Sequence, residues 1–225
     1  MKAVIFGATG MVGQAVLREA IMDMGVDQVL AVGRAPVALV NPKFESITHA
    51  DFLDFAPLAK KFKGIDVCFW CLGIASAGLS ETDYQRITCD YTVAAAKTLL
   101  KINPKITFVF ISGMGADSSE KGRVMWARIK GKTENAILSM KFRRAVVIRP
   151  AFIEPKDGIR SRTRLYRVLY RVFWPVMPLI KFFAPKSVIS TRALGRVMLH
   201  VARAGAPKPV LESADLVALA KNIKS

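Results

Sequence analysis

Six short apolar runs punctuate the first 150 residues: Ala3–Phe6, Val29–Val32, Phe44–Ile47, Val67–Trp70, Ile106–Ile111 and Ala145–Ile148. Most are near-continuous Val, Ile, Phe and Ala rather than apolar–polar alternations, which predicts strands of a parallel sheet covered on both faces. Between them the spacing turns helical, over Met11–Met24, Pro57–Phe62, Thr82–Leu100 and Gly122–Met140. Alternating strands and helices predict a doubly wound α/β fold. Beyond residue 150 the alternation stops. Two basic helices are expected there, Ser161–Phe183 and Thr191–Ala204, followed by a short strand at Pro209–Glu212 and a last helix at Ala214–Asn222.

The first strand-to-helix turn carries the most informative chemistry. Residues 2–13 read KAVIFGATGMVG, with Gly7, Gly10 and Gly13 three apart. The first glycine permits a sharp turn at the strand's carboxyl end. The second lets a ligand approach the backbone, and the third lets the helix pack on the strand. Free amides at that helix's N-terminus make an anion site suited to a pyrophosphate. The motif opens the helical pattern Met11, Val12, Ala15, Val16, Leu17, Ala20, the context that separates it from an ordinary glycine turn. The expectation is one Rossmann-like dinucleotide-binding domain over residues 1–225. Gly7, Thr9, Gly10, Met11, Val12 and Gly13 would hold the diphosphate, and a small, basic helical C-terminal cap would span 156–208.

Composition narrows the class. The length suits one domain with a sizeable core, and 52% hydrophobic residues argue against disorder. A strand starting at residue 2 leaves no room for a secretory leader. The longest apolar stretch, Val172–Ala184, contains Pro175, Pro178 and Lys181 and falls short of the ~20 residues of a membrane-spanning helix. A cytoplasmic protein, at most peripheral to a membrane, is expected. Three cysteines fit a reducing compartment. Cys68 and Cys71 form a CxxC inside a strand-like run, where residues three apart face opposite sides of the sheet. They read as small buried hydrophobes, and no metal site is expected.

The later strand ends supply the other candidates. The second strand ends in VGRAP. An acid at this position would grip a ribose 2′-hydroxyl, whereas Arg34 suits a 2′-phosphate and points to NADP over NAD. Asp51 and Phe52 are placed to flank an adenine. Cys71, Leu72 and Gly73 would line the pocket floor, and Pro150 and Phe152 close the sixth strand's turn. The fifth strand leaves Ser112 at the sheet's carboxyl edge, where chemistry is expected.

These stretches resemble an atypical short-chain dehydrogenase/reductase, near the Tat-interacting-oxidoreductase group of the extended, epimerase-like superfamily. The resemblance covers about residues 1–155 through FGATGMVG, VGR, AD, CLG, the serine after strand five, a lysine-bearing helix and the RPA turn. It implies an NADP(H) cofactor and a small carbonyl or hydroxyl substrate. By the same resemblance Ser112 would polarise the substrate, and Lys130 would hold the nicotinamide ribose and tune a tyrosine four residues earlier. That tyrosine's position holds Trp126, whose indole N–H is a donor only and does not exchange a proton near neutral pH. A non-catalytic NADP(H)-binding regulator is therefore the competing reading. Pairing through the two long helices, as in such families, implies a homodimer.

The formal net charge is +17, and residues 156–208 hold twelve Lys and Arg against one acid, Asp157. Such a field favours anionic partners. Arg160, Arg164, Arg167 and Arg171 fall at helical spacing before an aromatic stretch, which raises docking on an anionic membrane surface. An amphipathic lid over the cofactor is the plainer expectation. Nucleic acid is disfavoured, because the tail carries no stacking platform or helix-turn-helix signature.

Overall fold

The computed structural model describes residues 1–159 and 183–223. In chain order the first elements are β1 (Lys2–Phe6), α1 (Met11–Met22), β2 (Gln28–Gly33), β3 (Phe44–Thr48) and β4 (Val67–Trp70). Next come α2 (Glu81–Gln85), a π-helical turn (Arg86–Asp90), α3 (Tyr91–Ile102), β5 (Thr107–Ile111), α4 (Met125–Leu138) and β6 (Arg144–Arg149). The last are β7 (Phe152–Glu154), β8 (Val188–Ser190), α5 (Thr191–Ala204), β9 (Val210–Glu212) and α6 (Ser213–Asn222).

Seven strands form one parallel sheet in the order β3-β2-β1-β4-β5-β6-β9, the doubly wound Rossmann-like order, while β7 and β8 pair separately. Successive residues of each inner strand face different layers. Ala3, Ile5, Val109, Ile111, Val146 and Ile148 join the layer of α1, α5 and α6. Val4, Phe6, Phe108, Phe110 and Val147 join an aromatic layer with Phe52, Phe55 and Phe62. Burial on both sides is why the sequence shows runs rather than alternation.

Several boundaries differ from expectation. Pro57–Phe62 is not a helix. Six residues are too few to repay helix nucleation, and only a 3-10 turn forms at Ala56–Leu58 while Phe55 and Phe62 enter the core. The helix expected from Gly122 starts at Met125, because the Gly122 amide donates to the Asp117 carboxylate at 2.7 Å and stays in the preceding loop. The Thr82–Leu100 pattern is α2 and α3 joined by the π turn, with Ser80 capping α2 by accepting from the Asp83 amide.

Helix Thr191–Ala204, expected in a cap, is instead a layer helix. Leu194, Val197, Met198 and Val201 are fully buried against α1 and the sheet. Its apolar face is satisfied by that layer, which leaves none for a lid. The expected helix Ser161–Phe183, with its arginine stripe, lies outside the described residues apart from Phe183. The charge of 156–208 is also less free than composition suggests. Lys156 pairs with Glu154, Arg192 with Asp157, Arg196 with Glu19, Arg203 with Asp23 and Lys208 with Asp215. Of the six described cations there, only Lys186 has no such pair among the described residues.

Candidate functional site

Gly7 sits where β1 and β4 part company, the point at which the sheet order reverses. Its φ is +76°, and a Cβ there would come within 2.7 Å of the Leu72 nitrogen and 2.8 Å of the Cys71 carbonyl carbon. A Cβ on Gly13 would fall 2.1 Å from the Gly7 carbonyl oxygen, so α1 approaches the turn only because that side chain is missing. Gly10 is the N-cap of α1, its amide donating to the Gly7 carbonyl at 2.9 Å. No side chain caps this helix, and its first turn holds no acid. The amides of Met11, Val12 and Gly13 are thus left for an external acceptor at the positive end of the helix dipole.

A groove of about 420 Å³ adjoins this turn, lined by Gly7, Ala8, Thr9, Gly33, Arg34 and Leu72 among others. Its outer lip is fixed by the Val37 amide, which donates to Ser46 Oγ at 3.0 Å. Arg34 is exposed at the edge and forms no ion pair among the described residues. Uncapped amides and a glycine floor on one groove fit the diphosphate of a nicotinamide dinucleotide, with the Arg34 cation at its edge.

Two expectations at the adenine end separate. Asp51 is exposed, its carboxylate accepting from the Leu53 amide at 2.9 Å. The Phe52 ring is only 2% exposed and packs against Phe6, Phe55 and Tyr91, so it belongs to the core and does not flank a ligand. A phenylalanine beside an aromatic layer gains more from burial than from a solvent-lined cleft. Cys68 and Cys71 do face opposite layers, and burial pushes both thiols above their ordinary range. No group of three metal-ligating side chains occurs among the described residues.

Further along the carboxyl edge, Ser112 leaves β5 with its amide donating to the Ile148 carbonyl at 2.8 Å. Its hydroxyl is buried and has no hydrogen-bond partner among the described residues. Lys130, on α4, donates from Nζ to the Ile111 carbonyl at 3.2 Å and lies 5.1 Å above the Phe110 ring. Serine and lysine therefore meet at one strand end. Burial lowers the Lys130 amine to about 8, Glu134 opposing the shift only partly. Trp126 is half-buried one turn earlier, packed with Tyr84, Cys89 and Ile129. The loop after Ser112 reaches the sixth strand's turn, the Met114 amide donating to the Pro150 carbonyl at 3.1 Å. Gly73 is exposed in the loop after β4, and Phe152 is exposed at the start of β7.

Two supports were not foreseen. Gly131 lies so close to the loop that a Cβ would stand 1.7 Å from the Asp117 carbonyl oxygen, and the Asp117 amide donates to the Ala127 carbonyl at 2.9 Å. Arg149 holds the buried Glu134 through both carboxylate oxygens, and also reaches Glu212 at 2.9 Å and Ser118 Oγ at 2.7 Å. The glycine in IKGKTE was a visible signal for the first. Nothing local in the sequence marks the second, which joins residues 15 to 63 positions apart.

The profile of the NAD(P)H-binding family matches residues 7–154, from the first glycine to the end of β7. The chain belongs to that family. It is an atypical, short-chain-dehydrogenase-like NAD(P)-binding protein. Protein FMP52-2, mitochondrial, of Scheffersomyces stipitis is 34% identical over 72% of this chain and 70% of its own length. Protein HTATIP2 of Rattus norvegicus is 28% identical over 66% of this chain and 61% of its own. Among solved structures, a short-chain dehydrogenase/reductase-family oxidoreductase from Burkholderia thailandensis superposes with a TM-score of 0.69 at 16% identity, covering 96% of this chain and 92% of that one. A UDP-glucose 4-epimerase from Thermotoga maritima gives 0.68 at 14%, covering 99% and 82%. These likenesses carry the fold. Among the described residues no helix is long and apolar enough to cross a membrane.

Proposed function

We propose that the protein is an NADP(H)-dependent oxidoreductase acting on a small carbonyl or hydroxyl compound with an apolar body. The observation that carries this reading is the orphaned, buried hydroxyl of Ser112 beside the Lys130 amine, at the carboxyl edge beyond a dinucleotide groove. A buried hydroxyl without a partner is destabilising unless a ligand completes it. The bound dinucleotide would supply or accept a hydride. Amides of α1 would bind its diphosphate, Arg34 its 2′-phosphate, and Lys130 would anchor its ribose. Ser112 would donate a hydrogen bond to the substrate oxygen and polarise it.

An apolar substrate body is supported by Ile74, Met114 and Phe152, which are 43%, 52% and 40% exposed at the ends of β4, β5 and β6. Three unpaired cysteines support work in a reducing compartment such as the cytoplasm. The competing reading, a regulator that binds NADP(H) without turnover, is favoured by one observation, the indole at the position of the family tyrosine.

Fluorescence titration with NADPH and NADH, followed by NADPH oxidation against a panel of aliphatic and aromatic carbonyls, tests the proposal. NADPH should bind at least tenfold tighter, and Ser112→Ala should abolish turnover while leaving that affinity unchanged. Tight NADPH binding with no turnover across the panel would leave the regulator standing.

A further inference from the structure

We propose that the amino-terminal edge of the parallel sheet, opposite the dinucleotide groove, is a docking face for an anionic lipid bilayer. The inference does not depend on the oxidoreductase reading above, since it concerns the other end of the strands.

In a parallel sheet each connection leaves at one edge and returns at the other, so its charges can be sorted by edge. The connections from β3 to β4, β4 to β5 and β5 to β6 sort them sharply. On leaving, residues 49–55 hold Asp51 and Asp54, residues 71–83 hold Glu81 and Asp83, and residues 112–124 hold Asp117 and Glu120 against Lys121 and Arg123. On returning, residues 59–66 hold Lys60, Lys61 and Lys63 against Asp66. Residues 101–106 then hold Lys101 and Lys105, and residues 139–143 hold Lys141 and Arg143. These stretches give the carboxyl edge six acids and two cations, and the amino edge seven cations and one acid.

The amino-edge cations are also free. Only Lys61 is paired, with Glu45. Lys60, Lys63, Lys101, Lys105, Lys141 and Arg143 are exposed and form no ion pair among the described residues. The acid among them, Asp66, accepts from the Lys2 amide at 2.7 Å. Strands β4, β5 and β6 are neighbours about 4.8 Å apart, so their three entries lie within about 10 Å along the edge. The Gly64 amide donates to Asn103 Oδ1 at 2.9 Å, and the Asn103 side-chain amide to the Phe62 carbonyl at 2.7 Å. Those bonds fasten the Lys63 loop to the turn that carries Lys101 and Lys105.

Helix dipoles do not account for the row. A cation in a helix's last turn is favoured by the carboxyl end, which covers Lys101 of α3. Lys60, Lys63, Lys105 and Arg143 stand instead on the turns that enter strands, where like charges repel unless an anion answers them.

The same edge offers apolar tips. Met24, just past α1, and Val40, ahead of β3, are 94% and 103% exposed. The Lys43 ammonium ties their segments by donating to the Asp23 carbonyl at 3.0 Å. Cations beside protruding apolar side chains fit the headgroup region of a bilayer, where charge attracts and the tips enter the interface. A nucleic acid would gain nothing from Met24 or Val40. The rings next to these cations also turn away from stacking: Phe62 is buried and Phe142 packs 5.1 Å from Phe108. A protein docked this way holds its cofactor groove toward the solvent.

Vesicle sedimentation with the full chain tests the proposal. Wild type should bind phosphatidylcholine vesicles carrying about 30% phosphatidylserine, leave them at roughly 500 mM salt, and pass by phosphatidylcholine alone. Each interfacial cation is worth about fivefold in partitioning, so Lys63→Gln with Lys105→Gln should weaken binding about 25-fold. Lys121→Gln with Arg123→Gln removes the same charge from the opposite edge and should change binding by less than about threefold. Met24→Ser with Val40→Ser should weaken vesicle binding about tenfold and leave binding to a DNA duplex unchanged. All three variants should melt like wild type, and NADPH should not displace the vesicles. Failure to bind anionic vesicles, binding that ignores lipid charge, displacement by NADPH, or equal weakening by both charge variants would overturn the proposal. So would an amino-edge variant that binds like wild type, which would put the contact elsewhere. A DNA duplex bound more tightly than the vesicles, with Met24 and Val40 indifferent to both, would assign the face to nucleic acid instead.

Discussion

Arg34→Asp is the sharpest probe of the proposed NADP preference. Arg34 lines the groove without an ion pair among the described residues, so replacing it breaks no visible structural contact. A 2′-phosphate carries nearly two charges. At about 4 Å in water-like dielectric each charge pair is worth about 1 kcal/mol, giving about 2 kcal/mol of attraction. Exposure and salt reduce that to roughly 1.4 kcal/mol, about tenfold in affinity. Aspartate would add a repulsion of similar size, so NADPH should weaken about 100-fold in all. NADH, which lacks the phosphate, should change by less than about threefold, or tighten as the carboxylate accepts from its ribose hydroxyl. Fluorescence titration of both coenzymes at 50 and 500 mM salt reads this directly, and the wild-type preference should shrink at the higher salt. An NADPH-to-NADH ratio unchanged by the substitution would show that Arg34 does not meet the 2′-phosphate.

Gly131→Ala should be strongly destabilising, because its Cβ would stand 1.7 Å from the Asp117 carbonyl oxygen, and backbone yields less easily than a side-chain tip. Overpacking costs about 1–3 kcal/mol, or a melting-temperature loss of roughly 3–10 °C for a domain of this size; an unchanged melt would show that the loop floats free of α4. Asp23→Asn tests the tie between α1 and α5. The Arg203 guanidinium, more than any other neighbour, holds the Asp23 carboxyl below its ordinary 3.8. A depressed carboxyl stabilises the fold above the unfolded value and loses that contribution as pH falls through the folded one. The variant should therefore melt lower than wild type at pH 7, with the gap closing below about pH 4. A gap that does not narrow as the pH falls below about 4 would point to packing instead.

The sheet was legible because its strands are buried on both faces and therefore spelled as runs, and because the glycines of the first turn stand where backbone meets backbone. Ser112 was placed by its position at a strand's carboxyl end, and Lys130 by the family resemblance of its helix. What escaped the sequence is what depends on distant partners. Phe52 looked like a ligand platform because it follows a strand end, yet Phe6 and Phe55 draw its ring into the core. Glu134 carries no local signal of burial, yet Arg149 makes it a buried counter-charge. The basic helix at Thr191–Ala204 read as part of a cap because the strand–helix alternation stops after residue 150. Two of its arginines, Arg196 and Arg203, find their acids, Glu19 and Asp23, on α1 and at its C-cap, some 180 residues away in sequence.

That last pairing changes what the surplus charge means. Glu19 is only 6% exposed and is held by Arg18 and Arg196, while Asp157 gathers Arg192 and lies 3.6 Å from Arg18. Removing one member would leave a charge with little access to water, so these arginines answer to the α1–α5 seam before any external anion. A net charge counts such fastened cations equally with free ones. Around the cofactor groove the distinction reverses, since Arg34 is exposed and unpaired there. Among the described residues that line that groove, Arg34 is thus the cation left without an ion pair, at a strand end where the proposed phosphate would meet no competing carboxylate among the described ion pairs.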